Sequence, residues 1–211
     1  MGPVDDPSLA PEVLLAAYAE GWFPMDTARA RGAVGFYECN PRAVLPIDGF
    51  RVPRSVRRGL RAHPYEIRLD TAFDQVARAC AEPREGGVWL TPRLVAAYGR
   101  LHREGHAHSV EAWSGGELRG GLFGVAFGGL FTSETMFHRA PDAGSAALVG
   151  TARLLAAAGF ELWDIQMASD HTRRFGAVEL TPAEYRRRLA RALAIGGRAL
   201  VPPGVAPPVA G

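Results

Sequence analysis

The chain contains no lysine, so all 24 of its permanently positive side chains are arginine. Its 22 acidic residues bring the net charge to only +2, which removes any global polyelectrolyte argument for a nucleic-acid partner. Arginine is the better bidentate ligand for phosphate, so a local cluster of it still carries weight. Cysteine is scarce: Cys39 and Cys80 stand far apart and form no disulfide framework. With no signal-like N-terminus, they point to a reducing, cytoplasmic setting. No apolar run approaches the roughly 20 residues of a membrane span. Walker, G-x-G-x-x-G and G-x-S-x-G patterns are missing too, which disfavours nucleotide hydrolysis, dinucleotide binding and an elbow-type serine nucleophile. What remains is a 211-residue chain, 47% hydrophobic, sufficient for one large domain or a domain with a small appendage.

The expected elements run in a mixed order. Ser8–Glu20 reads as a helix capped by Ser8 and ended by Gly21, followed by the apolar corner Trp22–Met25 and a polar loop to Gly35. Pro41–Pro46 reads as a proline-bounded edge strand, Val52–Ala62 as a helix and Tyr65–Leu69 as a strand. Thr71-x-x-Asp74 resembles a capping box, and Thr91-Pro92 opens a helix ending at Gly105. His108–Trp113 and Glu117–Phe127 form a hairpin, and Ala143–Ala158 is a small-residue helix. Glu161–Gln166 is a strand, Ala168–Thr172 a polar loop, Gly176–Leu180 a strand, and Thr181-Pro182-Ala183-Glu184 caps the last helix. Hairpins around a helix–strand crossover predict an α+β fold with a mixed, mainly antiparallel sheet. The expected organisation is a small N-terminal domain (1–40), a main domain (41–200) and a disordered Pro/Gly/Ala tail (201–211).

The most unusual stretch is Gly120–Phe137, GGLFGVAFGGLFTSETMF. Glycine is unfavourable inside strands, so its repetition marks a place where backbone or a ligand comes close. Glu134 lies in this run. Asp164 and Gln166, two apart on a strand, share a face while Ile165 points away. These three either make a polar floor that positions an amine and a carbonyl, or satisfy turn and edge backbone groups. Arg54, Arg57, Arg58 and Arg61 lie off the Val52–Val56–Leu60 face of their helix without interleaved acids. This is either a solvated surface or a phosphate-binding one. Trp89, beside Gly86-Gly87, either stacks a base or covers a core edge. His102, His106 and His108 lack the Cys or carboxylate that would complete a metal site, so no metal is expected. Asp170-His171 has no nucleophile to activate.

The segments WFPM (22–25), NPRAVLPI (40–47), the run from Arg54 to Pro92, LHREGHAHSVEAW (101–113), LRGGLFGVAFGGLFTSETMF (118–137) and LWDIQMASDHTRRFGAVELT (162–181) resemble the leucyl/phenylalanyl-tRNA–protein transferases. The likeness runs from about Leu14 to Leu193. It implies a GNAT (N-acetyltransferase)-like main domain and a cofactor-free aminoacyltransferase. Such an enzyme moves Leu or Phe, with Met a further candidate, from aminoacyl-tRNA to proteins beginning with Arg or Lys, marking them for degradation. The resemblance implies catalytic roles for Asp164 and Gln166 and aminoacyl-adenosine contacts for Glu134, Trp89 and Met25. It also implies a side-chain pocket of Leu122, Phe131, Leu148 and Thr151, and a tRNA surface at Arg54, Arg57, Arg58 and Arg61. Met25 stands where relatives commonly have Trp, Thr151 where an aromatic is usual, and Ala143-Gly144-Ser145 where Ala-Ser-Lys is usual. A monomer is expected. Two rivals are an acetyl-CoA-dependent acetyltransferase, for which no pyrophosphate-cradling turn is found, and a non-catalytic tRNA-binding module that would not need Glu134 or Asp164.

Overall fold

The computed structural model describes residues 6–26, 34–83, 88–196 and 199–200. Most of the expected loop after Met25, Gly86 and Gly87, and the 201–211 tail lie outside the described residues. After a short 3-10 turn, α1 (Pro11–Ala19) leads to β1 (Phe23–Met25), which pairs antiparallel with β2 (Gly35–Tyr37). The chain then forms β3 (Arg42–Leu45), α2 (Arg54–Ala62), β4 (Glu66–Leu69), α3 (Phe73–Cys80) and α4 (Pro92–Arg103). Next come β5 (Ala107–Ser114), β6 (Glu117–Phe127), β7 (Leu130–His138) and α5 (Ala143–Ala158). It closes with β8 (Leu162–Gln166), α6 (Asp170–Arg174), β9 (Val178–Leu180) and α7 (Pro182–Leu193).

Seven strands form one sheet in the order β4-β5-β6-β7-β8-β3-β9. Only β7 and β8 run parallel, joined by the α5 crossover; the other neighbours are antiparallel. The expected mixed, mainly antiparallel sheet is therefore present. One face packs on α5, with Leu122, Phe131, Trp163 and Ile165 in its cluster. The other packs on α3 and α4, with Phe73, Tyr98 and Phe123, and this same cluster takes in Leu9, Leu14, Tyr18 and Phe23 from the N-terminal segment.

Four local expectations change. The strand at 42–45 lies between β8 and β9 rather than at an edge; Pro41 and Pro46 stay outside it, so its four residues, all buried, keep their ladder N–H groups. The Ser8 cap moves, because Asp6 accepts the N–H and hydroxyl of Ser8 and α1 begins later, at Pro11. Thr71 does not cap α3; its hydroxyl and N–H both go to Glu111. Finally, Ser169 and Thr172 form a reciprocal capping box that turns the expected polar loop into α6. The capping box of Thr181 and Glu184 on α7 is as expected.

Candidate active site

The site arises where the parallel pair separates. β7 and β8 are in register at Leu130–Leu162, Phe131–Trp163 and Thr132–Asp164, and no further. β7 continues to His138 and β8 ends at Gln166, so a mouth opens between them. A cavity of about 130 Å³ sits there, with Leu122, Met136, Leu148 and Ile165 as apolar walls and Glu134 and Gln166 as polar ones. Concave apolar sites with a few convergent polar groups are what small-molecule binding requires.

Glu134 is the least satisfied group in this mouth. Tyr98 Oη donates to its Oε2 at 2.9 Å, and Tyr18 Oη lies 2.8 Å from Tyr98 Oη, so the two buried phenols form a chain ending on the carboxylate. Its Oε1 is buried and has no hydrogen-bond partner. Burial pushes the Glu134 carboxyl up to about 7, with the nearby Asp164 charge adding to the rise and the tyrosine hydrogen bonds opposing it. A carboxyl so tuned exchanges a proton near neutrality.

Gln166 has a backbone φ of 55°, a left-handed conformation that costs a non-glycine residue roughly 1–2 kcal/mol. Met167 N–H donates to Ile165 O at 2.6 Å, closing a three-residue turn centred on Gln166. The side-chain Nε2 of Gln166 donates to Thr132 Oγ1 at 2.7 Å, which turns the amide carbonyl away from Thr132. Strain of this kind persists only when neighbours enforce it. Asp164 is the enforcer: its Oδ1 accepts the Gln166 backbone N–H at 2.9 Å.

Asp164 itself has no free oxygen. Arg42 donates Nε and Nη2 to it at 2.9 and 2.6 Å, and Tyr185 Oη donates at 2.7 Å. Arg42 is 2% exposed, Asp164 1%. Arg42 also donates Nη1 to Gly21 O and lies over the rings of Phe23 and Tyr185. Of Asp164 and Gln166, expected on one strand face, only Gln166 lines the cavity, and Ile165, expected to turn away, is one of its walls. Sequence reasoning missed Arg42, Tyr185, Thr132 and the Tyr98–Tyr18 chain. The available signals were a lone charge in an otherwise apolar strand and tyrosines on buried helix faces, whose hydroxyls need partners.

The glycines in the run are crowded by protein atoms. A Cβ on Gly124 would stand 2.6 Å from the Phe131 ring, and one on Gly120 would stand 2.8 Å from Ala143 at the start of α5. They admit other parts of the protein. Of the expected pocket residues, Leu122 and Leu148 line the cavity, while Phe131 and Thr151 are fully buried. Phe131 packs edge-on to Phe160, and Thr151 donates its hydroxyl to Ala147 O. Trp89 and Met25 flank the cluster that holds Tyr18 and Tyr98, and the Asp26 N–H donates to Trp89 O, bringing the two segments together. The four α2 arginines line one surface depression; none of them is ion-paired among the described residues, and Arg57 donates to Val52 O. A further cavity, lined by His138, Ser145, His171 and Arg174, meets the mouth at Met136. Two of the three histidines considered for a metal have other partners: His108 Nδ1 is 2.7 Å from Asp70, and His102 stacks on Phe73 with its Nδ1 2.8 Å from Ala107 O.

Residues 44–190 match the family described as leucyl/phenylalanyl-tRNA protein transferase. This chain belongs to that family. Relatives of that name include one from Nitratidesulfovibrio vulgaris, 50% identical over 180 residues, covering 84% of this chain and 76% of the relative. Another from Caulobacter vibrioides is 44% identical and covers 91% and 89%; one from Rubrobacter xylanophilus is 47% identical and covers 88% and 95%. Likeness to solved structures is looser. A GCN5-related glucosamine N-acetyltransferase region of a fungal β-N-acetylglucosaminidase gives a TM-score of 0.48 at 12% identity, over 85% of this chain and 23% of that one. L-PGS from Bacillus licheniformis gives 0.45 at 16% identity, over 86% and 76%. No helix of this transferase-family chain is long and apolar enough to cross a membrane, among the described residues.

Proposed function

We propose that this chain transfers leucine or phenylalanine from the 3′ end of an aminoacyl-tRNA to the N-terminal amine of proteins beginning with Arg or Lys. Met is a further candidate for the transferred residue. Membership of the family supports the reaction class. The observation that supports its location is the free, buried Oε1 of Glu134 beside the strained Gln166 at the mouth of an apolar slot.

In this reading the transferred side chain enters between Leu122 and Leu148, with Phe131 and Thr151 as the packed layer behind them. Glu134 Oε1 accepts a hydrogen bond from the aminoacyl end. The terminal adenosine lies on Trp89 and Met25; stacking on such a ring is worth about 1–3 kcal/mol per base. The acceptor amine has an ordinary pKa of about 8, so a usable fraction is neutral near pH 7. Its nitrogen attacks the ester carbon, the carbon–oxygen bond to the ribose breaks, and the proton that the nitrogen sheds passes through the neighbouring 2′-hydroxyl to the departing 3′ oxygen. The Gln166 carbonyl accepts an N–H of the attacking amine and holds its lone pair on line. Asp164 is then a positioning residue acting through the Gln166 backbone, because Arg42 and Tyr185 already occupy its oxygens. The acyl ester arrives activated, so the residues contribute orientation and electrostatics rather than a covalent step. Arg54, Arg57, Arg58 and Arg61 meet phosphates of the tRNA.

The test is transfer of labelled leucine or phenylalanine from preformed aminoacyl-tRNA to a peptide beginning with Arg. Labelled peptide is expected. Absence of transfer, together with a rise in melting temperature on adding acetyl-CoA, would instead favour an acetyltransferase.

A further inference from the structure

A cavity larger than the mouth lies on the α5 face, away from Glu134. It measures about 430 Å³ and is bounded by α2, β4 and α5, within the range of sites for drug-sized ligands. Its walls are the apolar side chains of Val52, Leu60, Ile67 and Val149, with Gly150 against the β4 side. The glycine is needed there, since a Cβ would stand 2.7 Å from Ile67 Cγ2. Three charged groups complete the lining, and all are guanidinium: Arg57, Arg61 and Arg153. All three are exposed, and none is in an ion pair among the described residues.

What the lining lacks narrows the ligand. It has no carboxylate, amide or aliphatic hydroxyl, and its one phenol, on Tyr65, donates to Pro141 O at 2.6 Å. The lining side chains therefore offer donors and hydrocarbon but no free acceptor, so a ligand meets them with acceptor atoms and apolar surface. An apolar body with a single anionic head satisfies both halves of the site, because burying hydrocarbon is favourable and arginine binds carboxylate through paired N–H donors.

We propose that this cavity binds a single-chain fatty carboxylate, its chain between α2 and α5 and its head on Arg153 and Arg61. The slot borders the proposed tRNA surface, because Arg57 and Arg61 belong to both, but the proposal does not rest on the transferase reading and is tested without tRNA. The full chain is titrated calorimetrically with decanoate, decanol and acetate, each below any micelle-forming concentration. Decanoate is expected to bind one per chain, about tenfold or more tighter than decanol, the effect of losing one charge-assisted contact. Acetate should show no measurable binding. Arg153→Glu, a change at an exposed position that leaves the core intact, should weaken decanoate about tenfold or more and leave decanol unchanged. Val149→Trp should abolish binding of both by filling the slot. Equal binding of decanoate and decanol, equal binding of decanoate and acetate, or decanoate affinity unchanged in Arg153→Glu would each overturn the proposal. Decanoate bound undiminished by a folded Val149→Trp protein would do so as well.

Discussion

Glu111, at the β4–β5 end of the sheet, is fully buried, and its oxygens accept from Ser109 Oγ, Thr71 Oγ1 and the Thr71 and Ala72 N–H groups at the start of α3. Glu134, at the β7–β8 mouth, accepts from Tyr98 and keeps one oxygen bare. Both are carboxylates inside the same sheet, yet one network is closed and the other ends in a cavity. A closed network rigidifies the fold; an open one leaves desolvated acceptor capacity that a ligand can satisfy. Asp164 belongs electrostatically to the closed kind while touching the open one through Gln166.

The largest expected effect comes from cutting the link between the two. Asp164→Ala leaves the buried Arg42 guanidinium uncompensated and should lower unfolding free energy by about 3–5 kcal/mol, read by urea denaturation. It should also release Gln166 from its turn and abolish transfer.

Glu134→Gln follows. Transfer should fall about 100-fold, the scale of losing one charged hydrogen-bond acceptor from a preorganised site, while the fold survives. Its pH dependence has a definite sign. The folded carboxyl is raised to about 7 from 4.5, so between those values the folded chain keeps a proton that the unfolded chain has lost. Glu134 therefore makes stability decline as pH rises from 4.5 to 7, by about 3 kcal/mol at most at roughly 1.4 kcal/mol per pH unit. Melting curves across that window should show this decline in the parent and not in Glu134→Gln.

Glu111→Ala should cost about 1–3 kcal/mol of stability by leaving buried donors unpaired, with the transfer rate per folded molecule unchanged. A lowered rate would erase the distinction between the two networks. The smallest effect is at the surface: Arg58→Gln should reduce the slope of log affinity for tRNA against log salt by about one.

Much of the architecture was legible beforehand because it rests on periodicity and punctuation. The 108–127 hairpin, the helix ending at Gly159 and the Thr181 capping box follow from patterns contained in one short segment. Errors arose where a residue answered to a distant partner. Thr71 offers a cap by spacing, but Glu111, 40 positions away, takes its hydroxyl. The Pro41–Pro46 strand looks like an edge because prolines bound it, yet its neighbours β8 and β9 come from far along the chain. At the site, Glu134, Asp164 and Gln166 stood out as polar residues in apolar strands. Their division of labour did not, because it depends on Arg42 and on a backbone turn at Gln166 that no local pattern announces. The three-arginine slot was equally hidden, since Arg153 is a lone charge on its helix until the fold sets it beside α2.

The most direct test of the central claim is a single-turnover measurement on Gln166→Ala with leucyl-tRNA and a peptide beginning with Arg. The account predicts a transfer rate lowered about 100-fold, as for loss of one preorganised hydrogen-bonding group, with leucyl-tRNA affinity and melting temperature near those of the parent. Transfer at the parental rate by a folded Gln166→Ala protein would contradict it.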